Sequence, residues 1–258
     1  MNGDDVMAAF DRQMRREARP DGPGARVERD GPVVRQVGGE GGWNAVLWSD
    51  LTEDDADAAI AAQVAYFTGL GREFEWKLYD YDTPGDLGVR LRAAGFEAEP
   101  EEAVMVTPVA GQPTEVVLPE GVRLRRVTDP DEVAMVAEVH ERAFGTSAEA
   151  FARRLRARLQ QDPDSLEIVV AMAGDEPVSA ARVDFEPGTD FAGLWGGGTV
   201  AGWRGKGIYR ALVAHRARAA AERGYRYLQV DASDQSRPIL HRLGFTTLTT
   251  TTPYVYTP

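Results

Sequence analysis

The stretch Gly198-Thr-Val-Ala-Gly-Trp-Arg-Gly-Lys-Gly-Ile-Tyr-Arg-Ala-Leu-Val213 leaves little freedom in how it folds. An apolar run ends at Val200, a turn holding Arg204, Gly205, Lys206 and Gly207 follows, and helical spacing begins at once. Strand, glycine-basic turn and helix therefore follow one another directly. The first turn of a helix leaves backbone N–H groups without partners and gathers partial positive charge. Glycine lets the backbone come close to an anion, and Arg204 and Lys206 add full charges. The segment Arg204, Gly205, Lys206, Gly207, Ile208 and Tyr209 is thus expected to bind a phosphate or pyrophosphate. Two nucleotide loops are excluded. A Walker loop needs a hydroxyl residue after its lysine, but Gly207 follows Lys206. The dinucleotide fingerprint needs a third glycine where this chain has Arg210.

Breakers at Pro108, Gly111, Pro113 and Pro119 predict a linker, which divides the chain into residues 1–118 and 119–258. In the first part, helical spacing is expected over Gly3–Arg19, from Thr52 to Phe67 and over Pro84–Ala94. Strands are expected at Val33–Val37, Trp43–Trp48, Phe74–Tyr81 and Ala103–Thr107. The second part reads as strand, two helices, three strands, the long helix after Gly207, the strand Tyr225–Asp231, a short helix from Ser236 and a Thr-rich final strand. This alternation predicts an α/β class, a mixed α+β sheet with helices on both faces. A weak repeat links the parts. Leu91-Arg-Ala-Ala-Gly-Phe96 and Leu240-His-Arg-Leu-Gly-Phe245 each follow an aromatic strand and precede another strand, in the same order.

Composition narrows the function. Cysteine is absent from the 258 residues, which removes a disulfide framework, a thiol nucleophile and thiolate metal sites; a reducing cytoplasm is the expected location. Three histidines (His140, His215, His241) show no zinc-site spacing, so no metal is expected. The net charge of −12 lies wholly in residues 1–118, which hold 23 acidic and 11 basic side chains; the remainder is balanced at 18 each. Nucleic acid is a poor partner for such a surface, and no membrane span is expected.

The loop resembles the signature of the GNAT superfamily of acyl-CoA-dependent N-acyltransferases, Arg/Gln-x-x-Gly-x-Gly/Ala between a strand and a helix. Arg204 and Gly207 match it, and Tyr209 stands where the last small residue belongs. The later Val230-Asp-Ala-Ser233 and Leu243-Gly-Phe245 agree with the family in order, so the resemblance spans roughly Gly121 to Tyr256. It implies two GNAT-like domains in tandem. The first resembles a degenerate copy, because its corresponding helix opens with Glu53, Asp54, Asp55 and Asp57 and no glycine. An anion there meets like charge.

The resemblance implies acetyl-CoA as acyl donor and an amine, small-molecule or peptide, as acceptor. Backbone groups of Thr199 and Val200 are expected along the pantetheine arm, and Ser233 at a position where the family often has Asn. The family's acidic Tyr falls on Leu240, which holds no proton to give. Asp231, at a strand end, and Tyr254, on the last strand, are the remaining catalytic candidates. A non-catalytic acyl-CoA sensor is the alternative that Leu240 keeps open.

Overall fold

The amphipathic N-terminal pattern folds as α1 (Gly3–Phe10), which continues as π-helical turns over Asp11–Arg16 and buries Val6 and Phe10. These features come from a computed structural model that describes residues 3–258; Met1 and Asn2 lie outside the described residues. A hairpin follows, β1 (Arg26–Asp30) and β2 (Val33–Val37), turning at Gly31 with φ +57°. Strand β1 is absent from the sequence reading, because Arg-Val-Glu-Arg-Asp has the charged make-up of a sheet edge and no alternation. Next, β3 (Ala45–Ser49), α2 (Ala56–Gly69) and β4 (Phe74–Tyr79) form a parallel crossover unit, with Ala45 opposite Glu75 and Val46 opposite Trp76. Helix α2 starts at Ala56, later than Thr52. The Asp55 carboxylate accepts the Thr52 N–H at 2.7 Å, and this holds 52–55 as a turn. Helix α3 (Leu87–Ala93), β5 (Glu97–Ala98) and β6 (Glu102–Pro108) complete the series.

After a coil through the expected linker come β7 (Val122–Val127), α4 (Val133–Phe144), α5 (Glu149–Gln161), β8 (Leu166–Ala173), β9 (Glu176–Phe185) and β10 (Phe191–Thr199). Then follow α6 (Ile208–Glu222), β11 (Tyr227–Ala232), α7 (Arg237–Arg242) and β12 (Thr246–Tyr256). Strands β7 to β10 are antiparallel neighbours in order, and β10 runs parallel to β11. Alternate residues of β8 serve opposite faces of the sheet. Ile168, Val170 and Met172 pack with Val136 of α4 and Leu155 of α5, whereas Val169 and Ala171 pack with Ile208 and Leu212 of α6. The mixed α/β class with helices on both faces is therefore present. None of the helices among the described residues is long and apolar enough to cross a membrane.

Contacts divide the chain into two compact units. The first holds residues up to Met105 together with Asp231–Leu240 and Thr246–Pro258; the second holds Val106–Val230 and His241–Phe245. A single cut after residue 118 does not reproduce this division, and the reason is β12. It lies antiparallel to β4, from Thr251 opposite Tyr79 to Tyr256 opposite Phe74, so the chain's last strand is built into the first unit. The order strand, strand, strand, helix, strand, helix, strand occurs twice along the chain. Gly95 and Gly244, the paired helix stops of the repeat, both take positive φ (+96° and +85°), which a side chain resists.

The core of the first unit gathers Ile60, Phe67, Phe74, Trp76, Leu91, Phe96 and Tyr254, with Phe67 and Phe74 stacked at 4.3 Å. Tyr254 is 4% exposed, and its ring so closely covers Gly88 that a Cβ there would meet the phenol oxygen at 2.5 Å. Arg15 is buried as well. It gives its Nε proton to Leu47 O and pairs with Asp82 at 2.7 Å, which ties the N-terminal helix to the end of β4.

A second buried polar group lies on the same unit. Lys77 of β4 pairs with the Asp231 carboxylate, whose side chain is 2% exposed. Burial disfavours the charged lysine, but Asp231, with Tyr79 and Glu75, outweighs it and holds the ammonium above its ordinary range. Glu75 accepts the indole N–H of Trp43 at 2.9 Å. Glu102 is pushed up to about 7, first by burial and then by the Asp231 charge, against the pull of Lys77.

Two outcomes follow from this packing. Truncating Tyr254 to Ala should cost about 3 kcal/mol in a denaturant titration, with loss of amide protection along β4. For Glu102, a folded-state pKa above the unfolded value means a stability contribution fully present below about pH 4.3 and lost as pH rises through about 7. Glu102→Gln should therefore match the parent at about pH 4 and exceed it in melting temperature at about pH 8.

Candidate functional site

The site is assembled around the start of α6. The Ala211 N–H donates to Gly207 O at 3.0 Å, the first bond of the helix ladder. Upstream amides have no place in that ladder. Gly205 (φ +74°) and Gly207 (φ +84°) supply the left-handed turns that bring the chain into the helix. A Cβ built on either meets nothing within 4 Å, so both face open space. Lys206 lies over the Trp203 ring, 4.3 Å from its centroid, and has no carboxylate partner among the described residues. Arg204 gives its Nε proton to Thr199 O and its Nη2 proton to Ala143 O, both at 3.0 Å. It therefore braces the turn against β10 and the end of α4, with its charge still at the loop. Glycine turns, unladdered amides and two unneutralised cations together fit a diphosphate.

Strand β10 leads into this turn and has an unusual lower half. Its parallel ladder with β11 stops at Gly193 opposite Gln229, while pairing with β9 continues past a bulge between Trp195 and Gly198. Gly196 and Gly197 are exposed there, so bare backbone lines the strand where β11 has left it. Ser179 Oγ donates to Gly198 O at 2.7 Å; its single proton is then spent, so Thr199 Oγ1 donates to Ser179 Oγ at 2.8 Å. The Val200 N–H donates to Val178 O at 2.9 Å. Val200 N–H is thus committed to β9, and Thr199 O takes the Arg204 proton. The bare backbone of Gly196 and Gly197 lies three residues earlier than these expected contacts.

Tyr209, the departure from the family signature, sits in the first turn of α6. Its ring edge lies over Gly197, and a Cβ on that glycine would come within 3.2 Å of it. Two turns further along, Arg216 is 2% exposed. Its Nε donates to Leu212 O at 3.0 Å and its Nη1 to Arg182 O at 3.3 Å, while Nη2 has no partner. Burial lowers the guanidinium pKa, and the Tyr209 phenol, the ionisable group acting on it, pulls the other way. Neither Ser179 nor Arg216 stands out in the sequence, since a serine in a strand and one more arginine in an arginine-rich helix carry no signal.

The other expected site residues fall in the first unit. Ser233 is exposed, and its carbonyl accepts from the N–H groups of Ser236 and Arg237 at 3.0 and 2.9 Å as the chain turns into α7. Ser236 precedes that helix as expected, but its hydroxyl points back to Ser233 O at 3.2 Å rather than forward. Asp231 is the buried partner of Lys77 in an ion pair. Tyr254 is a core residue against Gly88. Leu240 is 0% exposed, a packing side chain at the place where the resemblance implies a phenol. His215 donates to or accepts from Glu167 at 2.7 Å on the far side of α6's first turns.

Comparison with known proteins agrees with this geometry. Residues 133–245 match the family described as acetyltransferase (GNAT) family. No curated protein matches the sequence. Among solved structures, a GCN5-related N-acetyltransferase from Kribbella flavida superposes with a TM-score of 0.69 at 18% identity, over 98% of this chain and 95% of that one. A tandem GNAT protein from the clavulanic acid biosynthesis pathway gives 0.62 at 12% identity, over 99% and 95%. A GCN5-related N-acetyltransferase from Sphaerobacter thermophilus gives 0.57 at 15%, over 87% and 80%. At these identities the likeness establishes the fold. The order of loop, strand and helix agrees with the family match, and the likeness of residues 133–245 is to the acetyltransferase (GNAT) family.

Proposed function

We infer that this chain transfers an acetyl group from acetyl-CoA to an amine, a small molecule or a peptide, with residues of the second unit holding the donor. One observation carries the reading: Gly205 and Gly207, ahead of the Ala211–Gly207 bond, face open space beside two cations that no acid among the described residues neutralises. Bound acetyl-CoA supplies the activated thioester. The chain supplies the rest. Gly205, Lys206, Gly207, Ile208 and Tyr209 offer N–H groups to the diphosphate, and Lys206 and Arg204 offset its charge. The exposed backbone of Gly196 and Gly197 gives the acyl-bearing arm a strand edge to pair with, and Thr199 and Val200 fix that edge to β9. Excess acid in residues 1–118 favours a cationic acceptor, and an acceptor of that kind must shed a proton before it attacks. Asp231 and Tyr254, ion-paired and packed respectively, are assigned no proton transfer. Absence of cysteine fits work in a reducing cytoplasm.

A second reading, a sensor that binds acyl-CoA without turnover, rests on Leu240, whose buried side chain replaces the family's usual acid. Thiol release separates the two readings.

Calorimetry with acetyl-CoA tests the loop. Lys206→Glu is the cleaner variant, because Lys206 touches only the Trp203 ring, whereas Arg204→Glu also frees the Thr199 and Ala143 carbonyls. Each charge reversal should weaken binding by roughly tenfold to a hundredfold, with Lys206→Glu leaving the melting temperature unchanged. Equal affinity for parent and variants would remove the diphosphate from this loop.

A further inference from the structure

Arg216 is a charge without a reason in the packing of the second unit. Buried arginines elsewhere meet carboxylates: Arg15 meets Asp82, and Arg35 meets Glu28 at 2.9 Å. Arg216 meets two backbone carbonyls and is left with an unpartnered Nη2. An uncompensated buried cation is costly, and an apolar side chain of similar volume would pack there at lower cost. Its carbonyl bonds fix the head group, and the ionisable neighbour is the Tyr209 phenol. Seven residues separate the two, so they share one face of α6. Tyr209 in turn stands where the two halves of the donor site meet. Its own turn carries the free amides, and its ring lies on Gly197, within the exposed glycine backbone where β10 has left β11. An arm that starts from a diphosphate on that turn and follows this edge passes the phenol.

We propose that Tyr209 is the proton donor of the acyl transfer, and that Arg216 is the positioning residue that orients its hydroxyl and stabilises the phenolate left behind. The proposal rests on the acyltransferase reading. In the step, the amine nitrogen bonds to the carbonyl carbon and the carbon–sulfur bond breaks, with its electron pair leaving on sulfur. Tyr209 Oη gives its proton to that sulfur. The proton shed by the attacking nitrogen returns through solvent to the phenolate beside Arg216, so no further reagent is needed. A phenol on α6 also accounts for the apolar Leu240: the chain carries its acid on a different helix.

Acetyl-CoA with hydroxylamine as the acceptor probe, neutral near pH 7, isolates the acid from the base. Tyr209→Phe should lower kcat by about a hundredfold with KM and calorimetric affinity for acetyl-CoA within about threefold. Arg216→Met should lower kcat similarly while raising the melting temperature, since it removes an unpaired buried charge. Arg216→Lys, which keeps the charge, should restore part of kcat. Full kcat in Tyr209→Phe, a loss confined to KM, or no recovery of kcat in Arg216→Lys would overturn the proposal. A parent that fails to bind acetyl-CoA would instead remove the acyltransferase reading beneath it, and a parent that binds without releasing thiol would favour the sensor and remove the donor.

Discussion

The hydrogen bond from Ala211 N–H to Gly207 O decides where the helix ladder begins, and the character of the second unit depends on it. Were the ladder to begin one turn earlier, the amides of the loop would be spent on the protein itself. Gly205 and Gly207 prevent that by holding positive φ, a conformation a following helical residue cannot share. Arg204 then pins the turn to Thr199 and Ala143, so the unspent amides are rigid rather than frayed. Preorganised donors bind an anion without the ordering cost that a loose loop incurs.

How much of this is legible in the chain depends on the range of the interaction. The loop, its helix and the left-handed stops at Gly95 and Gly244 are local, and glycine placement with apolar spacing reveals them. Strand β1 escapes because an edge strand has little to bury. The start of α2 escapes because Thr52 and Asp55 are both plausible caps, and only the 2.7 Å bond between them decides. Asp231 reads as a free strand-end acid, since its partner Lys77 lies 154 positions away. Arg216 is invisible for another reason. In a chain with two lysines and many arginines, a buried guanidinium has the same letter as its solvated neighbours.

The two units bury charge by opposite strategies. In the first, Lys77 and Asp231 cancel each other, and the cost moves to Glu102, which holds its proton near neutral pH. In the second, Arg216 is cancelled by no acid and is held by carbonyl oxygens and a phenol. The first arrangement ties β4 to the end of β11. The second leaves a guanidinium buried on the helix that opens at the glycine loop.

The pairing of β12 with β4 has a consequence for the order of folding. Phe74 to Tyr79 are made well before the strand that covers their edge: Thr251 bonds Leu78 O across 173 positions. Until then the aromatic core around Trp76 lacks the ring of Tyr254, and β4 shows an unpaired edge to every other nascent chain. Removing β12 would thus leave the turn at Gly205 and Gly207 in place and unravel the unit built around β4.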